Sequence, residues 1–475
     1  MNNSAKKLNL TELIGLVIGS IIGGGIFNLM HDMASQAGVG AVIIGWIITA
    51  IGMLSLAFTF QNLTNKRPDL QAGIYSFADA GFGHYIGFNS AWGYWLSVWL
   101  GNISYAILLM SALTYFFPIF DNGHNLVSFI ASSIILWGGH YLVSRGIHSA
   151  SFINTIITIT KLIPILLFIL IVFLSFKLNV FTSDFWLTGN KPFNFSDVLS
   201  QVKSTMLVTV FVFSGIEGAV IFSGYAKKRK DIGRATILGI ITVTLIYMLI
   251  TLLSFGVMHQ AQLASLGQPA MADLLQHLVG KWGAVVVNVG LIIAVLGAWL
   301  SWTMFAAEVP YEAAKVGSFP KIFAKENKNG TPINSLIFTN VLVELFMISF
   351  FVASSAYNLF LSISSAAVLI PYAFSAFYQV KYSYLNKDLN DRKRNIFLGI
   401  VSSIYACWLL YAAGLNYILM TTILFALGIP VYYYLQKYDN KNKHVFTKIE
   451  AVIAFILLIL AILAIYEIAT GKITF

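Results

Sequence analysis

The chain has 475 residues, 58% of them hydrophobic and 10% charged, with a formal net charge of +10 and a mean hydropathy of +0.80. Soluble domains average about 25% charged residues, so most of this surface cannot face water. A single cysteine, Cys407, excludes an internal disulfide.

Residues 1–8 are mostly polar and carry Lys6 and Lys7. An apolar run follows at once, so the first span is expected to act as its own targeting signal, without a removable leader. Long apolar runs place thirteen spans at roughly 9–34, 38–63, 84–117, 125–144, 150–176, 199–224, 233–258, 283–314, 332–354, 357–381, 395–414, 416–436 and 449–470. The stretch 177–198 is expected as an external loop, and the polar stretch 259–281 as a short surface helix. No soluble domain fits between the spans.

The charges set the orientation. With the N-terminus in the cytoplasm, 23 of the 29 basic residues fall on inner segments and span ends, 5 fall outside, and Lys161 lies within a span. This is a positive-inside pattern. It accounts for the basic excess without nucleic acid, for which no aromatic-interleaved basic surface exists.

Two spans carry helix-breaking runs. The first holds Gly19-Ser20-Ile21-Ile22-Gly23-Gly24-Gly25-Ile26-Phe27, and the sixth holds Ser214-Gly215-Ile216-Glu217-Gly218. Breaking a helix in hydrocarbon is costly unless the freed backbone groups find partners. Two breaks in corresponding positions point to a substrate site. Spans 1–5 and 6–10 then form two repeats, and the odd repeat length inverts the second. The expected fold is an all-α integral membrane protein. It has two inverted five-helix repeats (9–176 and 199–381) with broken helices 1 and 6, and two or three C-terminal helices (395–470).

The chemistry of the breaks follows from the backbone. Unwinding at Gly23-Gly24-Gly25 frees amides at the positive end of the next half-helix, which suits a carboxylate. The second break frees carbonyls, which suit an ammonium. Ile22 belongs to the same candidate site. The alternative is that these glycines only let helices pack closely. Lys161, Glu217 and Glu308 are costly charges in or near spans. Lys161 and Glu217 are candidates for proton coupling, and each is equally readable as a structural tether. Glu308 reads as a hinge contact. His31 and Asp32 mark an outer vestibule or a solvated end. Trp92, Trp95 and Trp99 read as packing or an interface belt. No metal site is expected at His140 and His148. No nucleophile–base arrangement, phosphate loop or ATPase domain occurs, so no enzyme chemistry and no cofactor are expected.

The run Gly19 to Phe27 resembles the first-helix signature of the amino acid–polyamine–organocation superfamily. Four further stretches resemble its basic amino acid/polyamine antiporters. These are Gly87 to Asn102, Phe211 to Lys228, Trp302 to Tyr311 with Gly317-Ser318-Phe319-Pro320, and Leu369-Ile370-Pro371-Tyr372. Members of the family usually have twelve spans. The resemblance implies exchange of an amino acid for its breakdown product. By motif position, Gly23, Gly24 and Gly25 would hold the carboxylate, and Tyr94 and Asn102 would line the third span. Phe211 would act as an aromatic gate, Ser214 and Ser364 would face the substrate, and Trp302 would flank its side chain.

Phe211 and Ser214 stand where arginine-type members typically carry Trp and an aliphatic residue. A phenyl ring holds a guanidinium less well than an indole, and a hydroxyl suits a ring nitrogen. The sequence therefore favours histidine/histamine exchange, with arginine/ornithine exchange or proton-coupled symport as alternatives. A channel would need a filter or ring of charge, and none is seen. The expected partners are small amino acids and amines and the lipid bilayer of the cell membrane.

Overall fold

The computed structural model describes residues 7–70, 73–188, 192–351, 356–440 and 445–473. Residues 1–6 of the expected cytoplasmic segment and Lys191 of the expected external loop lie outside them. The described residues form helices and no named strand. In chain order the helices begin with α1 (Leu10–Ile21), α2 (Leu29–Gln36), α3 (Val39–Lys66), α4 (Ile74–Phe82), α5 (His84–Thr114), α6 (Leu126–Ser144), α7 (Ile147–Leu174) and the single turn α8 (Leu178–Phe181). The second half holds α9 (Phe195–Val212), α10 (Gly218–Ile221), α11 (Arg229–Phe255), α12 (Gln260–Ala264), α13 (Ala270–Val279), α14 (Lys281–Lys315), α15 (Ile333–Phe346) and α16 (Ala356–Leu385). The chain closes with α17 (Arg392–Ala412), α18 (Leu415–Ala426), α19 (Gly428–Tyr434) and α20 (Lys448–Ala469).

Ten helical segments among the described residues are long and apolar enough to cross a membrane. Three further units lie where the sequence places the remaining spans: α1 with α2, α9 with α10, and α15 with the 3-10 turn Met347–Phe351. The protein is a multi-pass membrane protein. The thirteenth apolar run is a true helix, α20, started by a capping box in which Thr447 and Glu450 exchange side-chain and backbone bonds. The twelfth span is less regular than its apolar run implied, because α18 and α19 meet at Leu427 and the span ends in a π-turn over Leu435–Asp439. The polar stretch expected as one surface helix forms two, α12 and α13. A further helix, α4, precedes the third span.

Both predicted breaks are present. The first helix starts on a capping box between Asn9 and Glu12 and stops at Ile21. One 3-10 turn, Gly25–Phe27, separates it from α2. The second broken helix stops at Val212 and resumes at Gly218. Gly215 has φ +103°, a conformation that L side chains rarely adopt, so a glycine is needed at that point.

The two broken helices run antiparallel. Leu8, just before α1, pairs with the chain just after α10: its amide donates to Tyr225 O at 2.8 Å, and Lys227 N donates to Leu8 O at 2.8 Å. The start of the first broken helix thus lies beside the end of the second, which is the inversion expected of the repeats. The third span, α5, is the central post. Of its most apolar window 78% is buried, against 17% for α20 and 22% for α6. That burial explains the small, polar and aromatic character of Gly87 to Asn102, which must pack against helices rather than lipid.

Candidate functional site

The breaks meet at one pocket near the centre of the bundle. Its walls come from the first break (Ile21, Gly23, Gly24, Gly25, Ile26), the second (Val212, Ser214), α5, α11, α14 and α16. Of the predicted residues, Gly23, Gly24, Gly25, Ser214, Trp302 and Ser364 line it together. None of its described lining residues is charged. The pocket holds about 30 Å³, room for roughly two water molecules. An amino acid therefore needs side chains to move before it fits.

The broken backbone is stitched by side chains. Ser20 Oγ donates to Gly215 O at 2.8 Å, joining one break to the other. The Tyr247 hydroxyl contacts Ile21 O at 3.2 Å and Val212 O at 3.0 Å. Trp302 Nε1 donates to Ser20 O at 3.1 Å. The Lys161 ammonium donates to Gly19 O at 2.9 Å and also to Ile22 O. These bonds answer the cost of unwinding in hydrocarbon. They also leave an asymmetry. Several carbonyls at the breaks are taken, those of Gly19, Ser20, Ile21, Ile22, Val212 and Gly215 among them, while the amides of Gly24, Gly25 and Ile26 donate no hydrogen bond among the described residues.

Several predicted residues lie beside the pocket rather than in its lining. Ile22 caps α1 and is buried, with its carbonyl turned to Lys161. The Tyr94 and Tyr372 hydroxyls each donate to one oxygen of buried Glu217. The three side chains tie α5 and α16 to the residue at the start of α10. Asn102 is fully buried, and neither atom of its amide has a partner. Phe211 ends α9 one residue before Val212, and its side chain lies outside the described residues. Ser364 lines the pocket while its hydroxyl donates to Ser97 O at 2.7 Å. Glu308 is buried on α14. One oxygen accepts from Tyr225 at 3.3 Å and the other has no partner.

Lys161 bonds the first broken helix, and its neighbour Asn154 extends the link to the eighth span. Asn154 Nδ2 donates to Gly15 O at 3.3 Å, and Ser301 Oγ donates to Asn154 Oδ1 at 2.8 Å.

Sequence reasoning missed Ser104, Tyr105, Leu108, Tyr247 and Ser365 in the lining. Tyr105 meets Trp302 edge-on, with ring centroids 5.8 Å apart. A signal for part of this set existed. Gly101, Ser104, Tyr105 and Leu108 follow the i, i+3, i+4, i+7 spacing of one helix face. Gly101 makes room for the indole, since a Cβ there would lie 2.8 Å from Trp302 Cζ3. Tyr247 carries no local signal, because its partners lie in other spans.

The family model described as amino acid permease matches residues 8–433. The chain is 46% identical to an arginine/ornithine antiporter of Pseudomonas aeruginosa, over 99% of each protein. It is 46% identical to an arginine/agmatine antiporter of Chlamydia abortus, again over 99% of each. It is 42% identical to an arginine/ornithine antiporter of Latilactobacillus sakei, over 99% of this chain and 98% of that one. With a match spanning both breaks and the post between them, the chain belongs to the amino acid permease family, within the amino acid–polyamine–organocation superfamily.

Proposed function

We propose that the protein exchanges external arginine for internal ornithine across the cell membrane, with its N-terminus and basic loops in the cytoplasm. The observation that carries this reading is the pocket's chemistry. Gly24, Gly25 and Ile26, whose amides donate no hydrogen bond among the described residues, line a cavity walled by Trp302 and Tyr105 and free of carboxylates among its described lining. The amides suit a carboxylate at the positive end of α2. The indole and phenol suit a guanidinium or ammonium. Both arginine and ornithine bring a carboxylate and a side-chain cation.

The histidine/histamine preference is corrected. The relatives compared are named for arginine exchange. Phe211 leaves out one indole, and that is one ring among several. Trp302 and Tyr105 bring two other aromatic rings to the same pocket.

Arginine/agmatine exchange is the second reading, favoured by the Chlamydia relative. Agmatine has no carboxylate to meet the free amides and carries an extra positive charge into a site without an acid. That chemistry favours ornithine as the partner substrate.

In this mechanism the backbone amides of the first break hold the carboxylate, and Trp302 and Tyr105 flank the side chain. Asn102 follows Gly101 beside the lining, its amide has no partner among the described residues, and it is the neutral group that movement of the walls would bring to the side-chain cation. Glu217, held by two tyrosines, secures the second break. Lys161 braces the first break. Residues 9–176 and 199–381 are the proposed repeats that rock against each other.

Counterflow in proteoliposomes tests the function. Labelled arginine is supplied outside, with ornithine, agmatine, histamine or nothing inside, while a dye reads membrane potential. Uptake driven by ornithine without a voltage is expected, since one positive charge crosses each way. Uptake driven only by agmatine, with a voltage, would move the reading to its alternative. Uptake into empty vesicles on a pH gradient would favour symport.

A further inference from the structure

A second recess lies beyond the central pocket, towards the ends of the spans away from the basic loops. It holds about 240 Å³. Gly24 and Leu108 line both cavities. The Leu108 side chain lies against Gly24, in the space that a Cβ there would occupy. This contact is the floor of the recess and the roof of the pocket. The other walls include Asn28 beyond the first break, Ser111 on α5, Gln268 in the loop before α13, and Asn288 on α14.

Asn288 is the unusual member. Its side chain is buried, and its Nδ2 donates to Ala284 O at 2.9 Å. A backbone carbonyl can only accept, so this bond fixes which amide atom is the nitrogen. The remaining atom, Oδ1, is buried without a partner among the described residues. Two neighbouring polar groups are already engaged. Asn28 Oδ1 accepts from Ala270 N at 2.9 Å, and Thr114 Oγ1 donates to Met110 O and accepts from Asn122 N. A buried acceptor left unmet is costly and calls for a donor.

No residue lining the recess is charged. A free carbonyl repels a carboxylate and accepts from N–H. Among the groups of a basic amino acid, the ammonium or guanidinium fits it.

We propose that this recess is an outer waiting subsite for the substrate, with Asn288 Oδ1 accepting a hydrogen bond from the cationic end of the amino acid while the Leu108–Gly24 contact is closed. Displacement of Leu108 then opens the way to the central pocket. The inference rests on the proposed exchange of basic amino acids and on the proposed orientation.

The test uses the full chain in proteoliposomes sorted for orientation. Asn288→Leu removes the acceptor at similar volume. Asn288→Asp keeps an acceptor and adds charge. Ser111→Leu fills the recess from α5 without touching Asn288. External KM for arginine, maximal rate, and half-saturating internal ornithine are measured for each. Asn288→Leu is expected to raise external KM about ten-fold, the loss of one hydrogen bond to a charged group, and Ser111→Leu to raise it as well by filling the space the substrate would take. Maximal rate and the internal constant should stay near wild type, and Asn288→Asp should hold external KM at or below wild type.

An unchanged external KM in the two leucine variants would make the recess a water-filled cavity and overturn the subsite. Equal shifts on both faces would assign Asn288 a structural role and overturn it as well. If the wild type itself exchanges neither arginine nor ornithine, the substrate reading falls and takes the subsite with it. If the wild type exchanges them and the variants do not differ from it, the subsite alone falls.

Discussion

Ser20 Oγ donates to the carbonyl of Gly215 at 2.8 Å, across 195 residues of chain. Ser20 lies in the last turn of α1, before the first break, and Gly215 lies in the second, so their bond latches one broken helix to the other. Ser20 Oγ also lies 2.7 Å from Leu16 O, one turn back on its own helix. Ser20→Ala is expected to cost about 1 kcal/mol, because Gly215 O keeps its bond from Gly218 N. Thermal melts of the purified protein should show a modest fall, and counterflow should slow several-fold. Unchanged transport would show that the latch is dispensable.

Lys161 offers a sharper contrast. Its ammonium is fully buried and bonds two carbonyls freed by the first break. Lys161→Met keeps length and removes the donor, leaving Gly19 O and Ile22 O bare in hydrocarbon. Each lost partner costs about 1–3 kcal/mol. A large drop in melting temperature with transport below a tenth of wild type is the expected result. A stable variant that binds arginine normally and loses only pH-driven flux would instead favour a coupling role.

The indole of Trp302 both bonds Ser20 O and faces Tyr105. Trp302→Phe keeps a ring and loses the N–H, while Trp302→Leu loses both. A cation–π contact is worth about 0.5–2 kcal/mol, so KM for arginine should rise roughly 2- to 30-fold in the leucine variant and less in the phenylalanine one. Equal KM values in both would place the side-chain cation elsewhere.

Asp391 joins the cytoplasmic ends proposed for α3 and α17. Its carboxylate pairs with Lys66 and with Arg394 at 3.1 Å. The hydrogen bond from Lys66 holds the Asp391 carboxyl below the usual carboxylate range. The stabilisation is therefore present above the unfolded value near about 3.9, and is lost as pH falls through the lower folded value. The melting difference between wild type and Asp391→Asn should be level from neutral pH to about pH 5 and vanish in acid. A difference that persists at the acid limit would mean the ion pair is not its source.

The spans were legible because hydrocarbon demands long apolar runs whatever the neighbouring helices do. Both breaks were legible because glycines in such runs have few other uses. The lining of α5 was half legible. Its face spacing marks Ser104, Tyr105 and Leu108, whereas the family motif marks Tyr94 and Asn102. Tyr94 binds Glu217 instead of lining the pocket, and Asn102 lies beside the lining with its amide unpaired. Helix α4 was missed because it lies in a loop between spans, where hydropathy carries no signal.

By itself the sequence determined that this is a membrane protein with two interrupted helices, because those properties reside in local composition and backbone freedom. Only the tertiary structure decided which freed backbone groups stay free. Tyr247, Lys161, Trp302 and Ser20 come from distant spans to fill carbonyls, and among the described residues nothing fills the amides of Gly24, Gly25 and Ile26. Satisfaction of a polar group in hydrocarbon depends on what packs against it, and packing partners are not written in the local sequence.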